Sequence, residues 1–186
     1  MSDSASFRYE SNWGGCYELS IEVGTSGDAE LQTLLSALWS VADMLGCFGR
    51  CDREHEYTEV PCTVASLSQS GQLVGQIRLP TGRLTVSGCT AVRGGDGSDW
   101  LDLSIPTSEL DEAGIEYHAD DQPFFRSAVL DDWLAGIASA TFQQASFSLA
   151  IVGWMISGGA DAAMLAGELP QERAMGYLLP RDGVLH

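Results

Sequence analysis

The chain has 186 residues, room for one domain with a sizeable core, and its 45% hydrophobic and 19% charged residues are the composition of a folded globular protein rather than a disordered one. Nine arginines and no lysine oppose 26 Asp and Glu, a formal net charge of −17. So acidic a surface repels phosphate backbones and anionic lipid, which excludes nucleic acid and membranes as expected partners and leaves a basic protein, a cation or a cationic ligand.

Residues 1–15 are polar and read as a loose arm from which Trp13 can tuck its ring against the body. The N-terminus has neither the basic start nor the apolar run of a secretory signal, so the expected setting is the cytoplasm, with reduced thiols. From Tyr17 the pattern alternates. Tyr17, Leu19, Ile21 and Val23 fall on one side and Glu18, Ser20 and Glu22 on the other, which predicts a strand with one solvated, charged face.

Asp28 to Leu45 is expected to be an amphipathic helix. Asp28 suits the positive end of the dipole, Leu31, Leu34, Leu35, Leu38, Ala42 and Leu45 make one stripe, and Gly46 stops it. Cys47 to Glu59 reads as a charged connector. Val60 to Leu67 reads as a short strand that Pro61 pushes to a sheet edge, followed by a turn at Ser68 to Gln72. Leu73 to Leu79 and Leu84 to Val92 are strands joined by Pro80-Thr81-Gly82-Arg83, and after a turn at Gly94 to Ser98 a third strand runs through Leu101, Leu103 and Ile105 to Pro106.

Asp111 to Ser127 has no periodicity and predicts a long loop, the kind of segment that often carries binding groups. Leu130 to Gln143 repeats apolar residues at helical spacing behind Asp131 and Asp132. Phe147 to Ser157 is the most apolar run in the chain. At eleven residues it is too short to span a bilayer, which takes about 20, and its Ile, Val, Phe and Trp favour a strand buried on both faces at the centre of a sheet. Two helical turns within Asp161 to Gly167 and an edge strand at Met175 to Leu179 complete the order.

These elements predict a single α+β domain over residues 1–186: a two-layer sandwich, with a mainly antiparallel sheet of five to six strands and both amphipathic helices on one face. The two-sided Phe147 run conflicts with a wet outer face. The long loop, the N-terminal arm or a second subunit must cover it, so a homo-oligomer is one expectation.

Four groupings bear on chemistry. Cys47, Cys51, His55 and Cys62 offer three thiols and an imidazole, but their spacing matches no usual zinc knuckle, and buried or incidental cysteines account for it, so no metal is expected. Asp96, Asp99 and Asp102 lack the order of a calcium loop and read as a solvated turn. Gly24 to Gly27 sits between strand and helix, as an anion site does, without the remaining residues of a phosphate loop. His118 has Asp102 or Glu109 as candidate acid–base partners but no flagged nucleophile. The functional expectation is a soluble, non-catalytic binding module for a basic protein, of inhibitor or immunity type, with no cofactor. Tyr117, His118, Asp120, Asp121 and Phe124 of the long loop are its candidate binding residues. The alternative is a small metal-assisted hydrolase using Asp carboxylates and His118.

Overall fold

A computed structural model describes residues 7, 13–24, 26–50, 56–94, 97–118, 126–171 and 173–186. In chain order these form Cys16–Glu22 (β1), Asp28–Val41 (α1), Leu45–Arg50 (β2), Tyr57–Glu59 (β3), Val64–Ser70 (α2), Leu73–Arg78 (β4), Leu84–Arg93 (β5) and Asp99–Pro106 (β6). There follow Thr107–Ala113 (α3), Ala128–Phe142 (α4), Leu149–Trp154 (β7), Ala162–Leu165 (α5), Gly176–Leu178 (β8), Pro180–Arg181 (β9) and Val184–Leu185 (β10). Mixed helix and sheet is therefore right. The sheet has eight strands among the described residues, in the order β3-β2-β4-β5-β6-β1-β7-β8, and every neighbouring pair is antiparallel.

Alternation in β1 decides the two faces. Tyr17, Leu19 and Ile21 stand opposite Ile105, Leu103 and Leu101 of β6, and opposite Trp154, Val152 and Ala150 of β7. These residues share one core cluster with Leu31, Leu34, Leu35 and Leu38 of α1, Val64 and Leu67 of α2, and Leu130, Leu134, Ile137 and Ala138 of α4. Both long helices thus pack on the same sheet face, and against each other.

The opposite face is not wet. Leu149 and Ile151 of β7 are fully buried there beneath Ile156, Leu165, Leu169 and Met175 of the C-terminal segment. Farther along the sheet, Val74 and Val86 lie beneath Phe7, Trp13, Phe48 and Tyr57. A two-layer arrangement with one solvated face does not describe this molecule. Phe7 and Trp13 do part of the covering with Phe48 and Tyr57, and the C-terminal segment covers β7.

The expected five to six strands become eight because β2 and β3 arise in the segment read as a helix end and a charged connector. α1 stops at Val41, before the stripe does: Ala42 closes the last turn and Asp43 takes a left-handed φ of 50°. Leu45 then begins an outer strand whose pairing with β4 is bulged, and its 42% exposure shows that it left the helix stripe. Val60 to Leu67 is not a strand. Thr63 Oγ1 accepts the amide of Ser66 at 3.1 Å and starts α2, and Gly71 (φ 75°) closes it, so the hydroxyl cap and the left-handed glycine outweigh the β-branched residues. The loop expected from Asp111 begins inside α3, whose end at Gly114 (φ 66°) is a left-handed cap with Ile115 N bonded to Leu110 O at 3.0 Å.

β7 is buried on both faces as expected, but it lies next to the edge strand β8, with β5 and β6 at the middle of the sheet. Position in the sheet did not make it two-sided; the C-terminal segment folded over it did.

Candidate functional site

The end of α3 and the start of α4 meet at a cleft of about 500 Å³ lined by Thr81, Gly114 to Glu116, His118 and Arg126 to Val129. α4 is set there by a buried phenol. Tyr17 accepts the Ser127 amide at 3.0 Å and donates to Asp131 Oδ1 at 2.5 Å, while Arg126 Nε holds Asp131 Oδ2 at 3.0 Å. Burial, then the Asp131 hydrogen bond, raises the Tyr17 pKa well above its ordinary value, so this hydroxyl stays a donor. No side chain caps α4, and Val129 in its first turn is 57% exposed.

Of the expected binding residues, His118 lies at this cleft and Tyr117, its neighbour in the chain, is not part of the lining, while Asp120, Asp121 and Phe124 fall outside the described residues. His118 is exposed and lines the cleft. Tyr117 packs its ring against the main core, and its hydroxyl donates to Asp111 Oδ2 at 3.3 Å. Asp111, Glu112, Glu116 and Asp132 are exposed on these elements, and Arg83 pairs with Glu112. Of these acids Glu116 lines the cleft, together with Arg126 and His118.

Glu109 is buried and accepts the hydroxyl of Thr85. Asp102 points to the outer sheet face, where it accepts the hydroxyls of Ser20 and, at 2.8 Å, Ser157.

Nor do the strand-mouth carboxylates form a solvated turn. Asp96 is outside the described residues; Asp99 and Asp102 are 1% and 3% exposed and, at odd and even positions of β6, face opposite sides. Asp99 accepts Arg93 at 2.8 Å and the amide of Gly27 at 3.3 Å. The anion suggested by the Gly24–Gly27 loop is thus one of the protein's own carboxylates.

The outer face holds the chemistry that sequence reading missed. Glu18 and Glu22, expected in water, are 9% and 4% exposed. Glu18 Oε1 accepts Ser104 Oγ at 3.2 Å, and its Oε2 accepts the amides of Ile156 and Ser157 at 2.9 and 3.3 Å. Glu22 Oε2 accepts the amide of Ala162 at 2.6 Å. Burial and then the charge of Asp102 raise the Glu18 pKa, and burial raises that of Asp102 against its hydroxyl donors. One signal was available. A neighbouring run apolar on both faces requires both faces of the sheet to be covered, and so buries the charged side of β1.

The cysteine grouping is rearranged. Cys51 and His55 lie outside the described residues, whereas Cys47 and Cys62 are joined by a thiol hydrogen bond. The third thiol near them is Cys89, fully buried on β5. Burial raises all three, Cys62 to about 12. Among the described residues no three His, Cys, Asp or Glu are grouped to hold a metal ion. No helix among them is long and apolar enough to cross a membrane.

The fold defines an α+β protein built on a large antiparallel sheet. No family model, curated protein or solved structure matches the chain.

Proposed function

We propose that the protein is a non-catalytic binding module for a basic protein partner, an inhibitor or immunity-type role being one instance. The observation that carries this reading is a cleft whose rim presents the exposed Glu116, His118 and Val129, with Asp111 and Glu112 exposed on α3 and Asp132 exposed on α4, the two helices whose ends meet at it. Nine arginines cannot neutralise 26 acids, so long-range attraction steers a cationic surface toward such a rim, and a rigid apolar contact anchors it. The loop residues Asp120, Asp121 and Phe124 extend the same acidic and aromatic character by sequence. A cytoplasmic setting belongs to this proposal. The hydrolase alternative has no specific observation in its favour, since His118 and Asp102 are not brought together.

The test is capture from the native lysate at low and high salt, with wild-type protein, Tyr117→Ala, Phe124→Ala and Glu116→Arg. The expected result is one basic protein whose capture weakens with salt and with Glu116→Arg, and whose affinity falls with the aromatic truncations. No partner, or one indifferent to both salt and these variants, overturns the reading.

A further inference from the structure

The segment from residue 155 to 171 crosses the outer face of the sheet, and its polar anchors converge on three carboxylates. Glu18 takes the amides of Ile156 and Ser157, Asp102 takes the Ser157 hydroxyl, and Glu22 takes the Ala162 amide. Ile156, and Leu165 and Leu169 beyond the last anchor, pack in one cluster with Leu149 and Ile151. Among the described residues the other titratable groups of this face and its strap are Cys16 and Glu22 from β1, Asp102 from β6, Tyr177 from β8, and Asp161 and the exposed Glu168 from the segment itself; the outward positions of β5 and β7 present none. None of the described ion pairs reaches Glu18, Glu22 or Asp102. Arg173 and Arg181 bond the carbonyls of Pro170 and Gly167 instead.

We propose that residues 155–171 form a pH-gated strap, held closed while Glu18 and Asp102 keep a proton between them and loosened when both are ionised. The hydrogen bonds say where that proton sits. Backbone amides can only donate, so Glu18 Oε2, which receives two, stays an acceptor. Oε1 faces a hydroxyl, Ser104 Oγ, which can reverse its role and accept from a protonated Glu18. Ser20 and Ser157 can do the same for Asp102. Ionising both carboxylates places two like charges where none of the described ion pairs supplies a cation, and opening the strap admits water to them. Burial holds both pKa values above those of an exposed carboxyl, and the charge of Asp102 raises Glu18 further, so the closed state binds more protons and is favoured at lower pH.

Amide exchange followed by NMR, expressed as protection factors to remove intrinsic pH dependence, tests this between about pH 5 and pH 8. Protection at Ile156, Ser157 and Ala162 is expected to fall with rising pH by up to about tenfold per unit, while amides of β4 and α1 keep theirs. Glu18→Gln, which retains an acceptor and cannot ionise, should flatten the slope, and Asp102→Asn gives the same reading should the first variant not fold. A flat wild-type profile, equal loss in strap and core, or an unchanged slope in either variant overturns the proposal.

Discussion

Tyr17 and Asp131, 114 positions apart, are joined by a 2.5 Å hydrogen bond that fixes the start of α4 on the sheet. The same phenolic oxygen receives the Ser127 amide. Tyr17→Phe leaves that buried amide without its acceptor and Asp131 Oδ1 without its phenol donor, Arg126 still holding Oδ2. The expected cost is about 1–3 kcal/mol in urea unfolding, the range for an orphaned buried polar group. A change within error of zero would mean that water replaces the phenol.

Ile151 and Val152 are both buried, at 0% and 1% exposure, on opposite faces of β7. Ile151→Asp and Val152→Asp should each destabilise by more than about 3 kcal/mol, since each buries a charge with no partner. A variant melting within a degree or two of wild type would show that its face opens readily.

Stability should depend on pH through Glu18 and Asp102. Both carboxyls are held above their unfolded values, so the stabilisation from protonating them is fully present below about pH 4 and is lost as pH rises through the folded values. Glu18→Gln cannot ionise. Its urea midpoint relative to wild type should therefore improve steadily as pH rises, and a relative midpoint that worsens would reverse the assigned direction.

The thiols should be inert in the folded state. Burial holds Cys16 and Cys62 at about 12, and Cys89 higher than an ordinary thiol, so at pH 8 only about one in ten thousand of the first two is thiolate. Peptide mapping after iodoacetamide should find these three unlabelled in native protein and all five cysteines labelled in denaturant. Elemental analysis should find far less than one zinc per chain. Rapid native labelling of Cys62, or stoichiometric zinc lost with Cys47→Ser, would contradict this.

What local pattern alone carried was the type of each strongly periodic element. The alternation from Tyr17 and the stripes behind Asp28 and Leu130 produced a strand and two helices because each face meets a core of matching period. Their placement on one side of an antiparallel sheet followed from having one apolar stripe apiece. Short elements were less legible. The capped turn Thr63–Ser66 carried a readable helix start, whereas β2 and β3 exist only through pairing with β4 and with each other.

The polar face of β1 belongs to tertiary structure. Nothing local distinguishes Glu18 in water from Glu18 under a strap, because its burial depends on a segment more than 130 residues away supplying two amides. The same holds for Asp99 and Asp102, three positions apart and sent to opposite faces. It holds also for Cys89, which joins Cys47 and Cys62 only through strand order. Periodicity reports which side a residue takes. What covers that side is decided by how the chain returns, since the free energy of burying a carboxylate depends on partners that the return supplies.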